Sequence, residues 1–402
     1  MTTCLAPIQA THSIEEAARP LWDAIVIGAG PAGAVTAREL ARRGATTLLV
    51  ERQSFPRAKV CGGCLNGRAL AGLTAMRLEH VLVEAHALPT GCFLMQANKR
   101  RVTLDLPAGV AVDRSAFDAA LVRAATSAGA AFLPETTATV EGDDSPTTTC
   151  RTVQLSGRGQ PNVTATARVV LVADGLGHAS VRHLDVFRSR VHSTARVGLG
   201  LVVREPEEAY AAGTIHMAIA RDGYVGLVRT ANGNLNIAAA LDPASLKSVE
   251  APDQAINRIL AETGLPTLSA VSEPAWRGTL PLTRTNRRLA AARIFLLGDA
   301  AGYVEPFTGE GMGWAIASAM SVVPYVLRSL HDWDHRASQT WEINQQRQMA
   351  RGQLMCRILA RLLRQPAAVG LTLGVLRTIP ALANPIVRRI YSGPGHLQAS
   401  LL

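Results

Sequence analysis

The residues best suited to chemistry lie between Trp22 and Arg52. Gly28, Gly30 and Gly33 fall at G-x-G-x-x-G spacing, with the small Ala32 between the last two. The first glycine permits a tight turn, the second lets a pyrophosphate approach the backbone, and the third lets a helix pack closely on a strand. An anion there would lie on a helix N-terminus, where unpaired N–H groups and the dipole favour negative charge. Glu51 stands about 20 residues further on, where the dinucleotide fingerprint places a carboxylate for a ribose hydroxyl. Glu51 followed by Arg52 suits an adenosine ribose with a free 2′-hydroxyl, so FAD or NAD fits better than NADP.

Two further turns carry an acid beside a glycine. Asp174-Gly175 ends an apolar run over 169–173, and Gly298-Asp299 ends another over 293–297. Carboxylates and free N–H groups at the carboxyl ends of buried strands are where α/β proteins bind ligands. Past the second turn, Pro306 and Gly309-Glu310-Gly311-Met312-Gly313 open a long helix and offer more anion-friendly N–H groups. Arg114, in the first turn of another helix, is badly placed for the dipole unless an anion sits beside it. That points it at cofactor phosphates, with a solvated arginine as the bland reading. Cys61-Gly-Gly-Cys64 has the spacing of a redox dithiol or a zinc knuckle. No second C-x-x-C or nearby His pair completes a metal site, so no metal is expected. Gly62 and Gly63 equally suit a backbone running against a flat ring, with Cys61 packed beside it. His178 and His192 read as a turn residue and a surface residue.

These residues need elements to hold them. Residues 23–27 and 46–50 read as strands buried on both faces, joined by a helix over 34–43 that Gly44 stops. A short helix follows over 66–73, and β-like pieces fill 80–112. Asp113 caps a helix running to about residue 126, with Phe117, Leu121 and Val122 towards the core. A three-stranded meander spans 130–173. Strands at 190–284, with one helix near 253–263, complete a second sheet. The organisation expected is a leader (1–20), a cofactor domain in three pieces (21–79, 113–189, 285–330), a substrate domain in two (80–112, 190–284) and a helical end (331–402). That end carries aliphatic residues on one side and arginines on the other, which suits a lid, a dimer contact or a membrane surface.

With 402 residues, 48% of them hydrophobic, the chain can build two domains around a sizeable core. Aromatics at 4% leave little for stacking on bases, so nucleic acid is not an expected partner. A net charge of +10 suits an anionic partner such as a membrane surface or a phosphorylated substrate, or reflects simple arginine richness. The first 20 residues lack a signal-peptide pattern and read as a loose leader on a cytoplasmic protein with possible membrane association. Six scattered cysteines make no disulfide scaffold. Pro366, Pro380 and Pro385 argue against one spanning helix at the C-terminal end.

Taken together, these motifs resemble the flavoprotein superfamily that unites aromatic hydroxylases (group A flavin monooxygenase-like), flavin halogenases and geranylgeranyl reductases. The similarity covers about residues 20–330. It is nearest to the geranylgeranyl-reductase branch through Pro-Arg-Ala-Lys-Val-Cys-Gly-Gly at 56–63 and the Gly298 to Gly313 segment. The resemblance implies an α/β fold with a Rossmann-like, glutathione-reductase-like FAD domain containing a β-meander, interleaved with an antiparallel substrate sheet. It implies FAD as cofactor: Gly28, Gly30, Ala32 and Gly33 at the pyrophosphate, and Glu51 and Arg52 at the adenosine. Arg114 would meet the phosphate or ribityl region, Asp174 and Gly175 would buttress the pyrophosphate, and Asp299 would meet the ribityl hydroxyls. Gly309, Gly311 and Met312 would face the pyrimidine end, and Cys61 would be proton donor or flavin-edge contact.

The activity so implied is C=C reduction or aromatic hydroxylation of a hydrophobic isoprenoid or polyketide-like molecule. NAD(P)H would visit transiently, since no second G-x-G-x-x-G occurs. Tyr224-Val-Gly-Leu-Val stands where prenyl reductases carry Tyr-x-Trp-x-Phe-Pro. The halogenase Trp-x-Trp-x-Ile stretch is absent, and no lysine is expected near the flavin. A halogenase and a non-catalytic FAD-binding scaffold are the alternatives.

Overall fold

The computed structural model describes residues 6–142, 149–204, 208–247, 251–268, 276–305, 307, 309–330 and 332–391. Short runs of valine, isoleucine, leucine and alanine build its first sheet, in the order Ala290–Ala291, Ile294–Leu296, Val163–Val172, Leu21–Ile27, Thr47–Val50 and Ala131–Leu133. The last five strands run parallel, which is why they read as apolar on both faces. Helices Pro31–Ala41, Arg114–Ser127 and Gly311–Ser329 pack side by side against them. The first begins at Pro31 rather than at residue 34, because proline in the first turn lacks only an N–H that the helix leaves unpaired anyway. The second is capped by Asp113, which accepts from the amides of Ser115 and Ala116, and it buries Phe117, Leu121 and Val122. The meander strands Thr136–Val140 and Arg151–Gly157 pair antiparallel and join the sheet through Val163–Val172.

The second sheet runs Arg277–Pro281, Val197–Val203, Leu235–Leu241, Gly223–Arg229, Thr214–Ala220, Leu88–Ala97, Arg100–Ala111 and Cys64–Leu65. It is antiparallel except where Thr214–Ala220 meets Leu88–Ala97 in parallel. The sheet is thus antiparallel as expected apart from this junction, where the two strands come from segments far apart in sequence and no hairpin dictates their sense. Residues 80–112 likewise form a helical turn, His80–Glu84, and two long strands rather than short pieces.

The leader expected over 1–20 is not loose from residue 6 onward. Ser13 and Glu16 form a capping box for the helix Ile14–Ala18, Ile14 and Ala17 are buried, and the Trp22 indole donates to the Ala17 carbonyl at 2.8 Å. The C-terminal helices His335–Leu362, Pro366–Thr378 and Asn384–Tyr391 also pack inward. Trp341 meets Phe295 edge to face at 5.0 Å, and Leu363, Val369 and Leu373 join a cluster with Met95, Met217, Tyr224 and Phe307. Among the described residues no single helix is long and apolar enough to cross a membrane.

Candidate functional site: a cleft between two sheets

The three acid- or glycine-bearing turns meet at one edge because four parallel strands end in register there. The Gly28 amide donates to Val50, the Ala173 amide to Ile27 and the Leu297 amide to Val172, at 2.7, 2.7 and 2.8 Å. The turns then touch. A Cβ on Gly28, whose φ is +98°, would lie 2.5 Å from the Ala173 carbonyl oxygen and 2.7 Å from the Asp174 Cα. One on Gly33 would lie 1.8 Å from the Gly28 carbonyl oxygen, the close helix-to-strand approach its spacing predicts. One on Gly298 would meet the Ala32 side chain at 2.9 Å. At Gly30, by contrast, only an arginine tip of Arg57 comes within 3.6 Å, so this backbone faces open space. The helix behind it presents its N-terminus there, which is the geometry a diphosphate needs.

Charges are layered around this edge. Glu51 is buried, and its oxygens accept from the amides of Ala29 and Gln53, each at 3.1 Å, and pair with Arg57 at 3.3 Å. The carboxylate therefore braces the glycine turn as well as facing the cleft. Arg57 also meets the fully buried Asp118 at 3.3 Å. Asp118 in turn takes both arms of Arg114, at 3.1 and 2.9 Å. The Asp118 carboxylate, one turn along the same helix, compensates Arg114 against the helix dipole, and Arg114 also lines the cleft beside Cys61. Asp118 was not foreseen; an acid four residues after a first-turn arginine was the available signal.

Lys59, which the sequence motifs did not single out, also stands on this cleft. It projects into the cleft over the Asp174-Gly175 turn, 3.4 Å from where a Gly175 Cβ would stand, and it makes no hydrogen bond or ion pair among the described residues. Lys59 is exposed along the open cleft. Enclosure by protein pulls its pKa down, against the opposing pull of Asp299. Asp174 accepts from the Ser180 amide at 3.0 Å, while its other oxygen has no partner among the described residues; burial holds its pKa up. Arg52, Gly175, Asp299, Gly309, Gly311 and Met312 all line the same cavity. Pro306 lies outside the described residues.

The cavity, 1140 Å³ in volume, continues from these turns to the second sheet. Its far wall is apolar, with Phe93, Ile215, Met217, Leu227, Leu282 and Phe307. Phe307 stands edge to face with both Phe93 and Tyr224, at 6.0 and 5.2 Å. Behind Tyr224, fully buried Arg196 pairs with Glu305 at 3.1 Å and Asp242 at 3.3 Å, and Arg364 from the end of the long C-terminal helix meets Asp242 at 2.7 Å. Burial and Glu305 raise the Tyr224 phenol well above its ordinary pKa, and burial and Asp299 do the same for Tyr303.

Cys61 and Cys64 flank the middle of the cleft as free thiols. Cys61 Sγ accepts from the Gly63 amide at 3.4 Å, and its carbonyl accepts from Asn236 at 2.8 Å. Burial pushes the Cys64 thiol up to about 12, which makes it a poor nucleophile and a poor metal ligand. Among the described residues no cluster of three or more His, Cys, Asp or Glu could hold a metal. His178 sits in the turn with φ of +25° but is buried, and His192 is exposed.

Residues 22–336 match the family described as FAD binding domain. The chain belongs to that family. FAD is therefore its cofactor, and the open backbone at Gly30, with the Lys59 ammonium and an Asp174 oxygen that have no partner among the described residues, fits a molecule that brings phosphates and ribityl hydroxyls. The chain is 26% identical to menaquinone reductase of Mycolicibacterium smegmatis over 364 residues, 87% of this chain and 86% of that one. It is 24% identical to digeranylgeranylglycerophospholipid reductase of Methanocaldococcus jannaschii, covering 80% and 81%. Conditioned medium factor receptor 1 of Dictyostelium discoideum is 24% identical, and the match covers 78% of this chain but 65% of that longer protein. Among solved structures, a flavoprotein/dehydrogenase from Cytophaga hutchinsonii superposes with a TM-score of 0.74 at 18% identity, covering 86% of each chain. A flavin-dependent brominase does so at 0.74 and 15%, covering 92% and 93%. At these identities the structural likeness speaks for the fold alone.

Proposed function

We propose that this FAD-dependent oxidoreductase reduces a carbon–carbon double bond in a lipophilic, isoprenoid-type molecule. The observation that carries this reading is the continuity of the cleft: one cavity joins the glycine turn to an apolar chamber roofed by Phe93, Met217, Tyr224 and Phe307. Such a chamber suits a greasy chain with few polar atoms. Two relatives are named for lipophilic substrates, menaquinone and a digeranylgeranyl phospholipid.

FAD supplies the hydride equivalent in this reading. The chain's own residues do the rest. Gly28, Gly30, Ala32, Gly33, Lys59, Asp174 and Gly175 would hold the diphosphate region, and Glu51 and Arg52 the adenosine. Arg114 and Asp299 would hold the ribityl region, and Gly309, Gly311 and Met312 would meet the ring. The aromatic chamber excludes water and lays the double bond across the middle of the cleft. Cys61, placed there, gives up the proton for the second carbon. The buried phenols of Tyr224 and Tyr303 stay protonated and contribute shape. NAD(P)H is the transient reductant.

The test is anaerobic turnover with FAD, NADPH and polyprenylated quinone or geranylgeranyl lipid, read by mass spectrometry. The expected product gains one pair of hydrogens per bond, and Cys61→Ala keeps NADPH-driven bleaching of the flavin while losing product. A product that gains oxygen only in air would move the protein to the hydroxylases, and one that gains bromine would move it to the halogenases.

A further inference from the structure

The three C-terminal helices turn one side inward and leave the other bare. Inward, Leu363, Val369, Leu373 and Ala383 pack behind the chamber that holds Tyr224 and Phe307, and Tyr391 reaches the cleft itself. Outward, Leu371 and Val375, four residues apart, share one side of their helix, and Ile379 follows at its C-terminal cap. They are 70%, 42% and 51% exposed, and Leu382 and Ile386 continue the exposed series at 54% and 41%. Exposed aliphatic residues grouped this way mark an interaction surface.

The charge on the same helices says what kind. Residues 335–391 hold nine arginines, no lysine and a single acid, Glu342, and so carry +8 of the chain's +10. Eight of the nine arginines are exposed; the ninth, Arg364, is turned inward to Asp242. Glu342 is buried and committed to Arg288 and the Leu289 amide. The outer surface of this segment therefore presents arginine and aliphatic side chains with no exposed acid. A second copy is a poor occupant, since a two-fold contact sets each patch against itself and arginine against arginine. Nucleic acid is a poor one too, because the two aromatic residues of the segment other than histidine, Trp341 and Tyr391, are buried and leave no stacking platform.

We propose that this face docks the protein on an anionic lipid surface, with the aliphatic series sunk into the headgroup region and the arginines on the lipid phosphates. Each basic residue near such a surface contributes about 1 kcal/mol, and aliphatic burial adds to it. The inference does not rest on the proposed reduction. It does set the inner side of the docking helices against the apolar end of the cleft.

The test is flotation of the full chain, loaded with FAD, with vesicles of phosphatidylglycerol and phosphatidylcholine and with vesicles of phosphatidylcholine alone. The protein is expected to float with the first and stay behind with the second. Arg388→Gln with Arg389→Gln is expected to weaken partitioning roughly 30-fold, and Leu371→Ser with Ile379→Ser and Leu382→Ser to abolish it. Both variants should keep their flavin colour and their elution volume, because all five positions are exposed. Failure to float, flotation equal on both vesicles, or flotation unchanged in both variants overturns the proposal. So does a dimer that the aliphatic variant dissociates.

Discussion

At position 28 the backbone is left-handed and there is no room for a methyl group against the Ala173 carbonyl. Gly28→Ala must therefore strain the turn and push apart two strand ends that carry the cofactor edge. Its expected effect is a loss of about 2–3 kcal/mol in urea unfolding and a protein that emerges without flavin colour. Lys59 poses the opposite case, a cation with space around it and nothing bound to it. A charge-assisted hydrogen bond to a phosphate or flavin oxygen is worth about 1.5–3 kcal/mol, so Lys59→Met should weaken FAD binding by roughly tenfold to a hundredfold.

The strands carry their own pH sensitivity. His216, on Thr214–Ala220, is 7% exposed; burial, with Arg101 nearby, pushes its pKa from 6.5 down to about 4. The unfolded chain takes up this proton near pH 6.5 and the folded chain only near 4. Stability is therefore fully present above 6.5 and is lost as the pH falls towards 4, by on the order of 3 kcal/mol. Denaturant titrations across that window should show the loss in the natural protein and a reduced slope in His216→Leu. At the edge of the same sheet, just before Val197–Val203, Arg196 pairs with Glu305, where burial raises the Glu305 pKa in spite of the arginines. Such a pair is better read as fixing the wall behind Tyr224 than as a source of stability.

At the scale of the molecule, the cleft is lined by both sheets and, at Tyr391, by the last of the C-terminal helices. A ligand held there ties the two sheets to each other. Excess FAD is expected to raise the thermal midpoint of one shared transition, by about 4 kcal/mol of stability at a thousandfold excess over Kd. Two transitions of which only one responds would show instead that the sheets unfold separately and that the cleft does not couple them.

The glycine turn, its following acid and the two later Gly-Asp turns could be read from residues alone, because their function depends on spacing within a few residues and on strand ends that announce themselves as apolar runs. The capped helix at Asp113 was equally plain, for the same local reason. What local pattern could not supply was the company each charge keeps. Asp118 neutralises Arg114, Arg57 joins Glu51 to Asp118, and Lys59 swings across to the Asp174 turn, since ion pairing is settled by distances between segments that only packing brings together. Strand sense at Thr214–Ala220 and the docking of residues 6–18 belong with these: hydrophobic periodicity states that a face must be covered, and the folded chain alone decides by what.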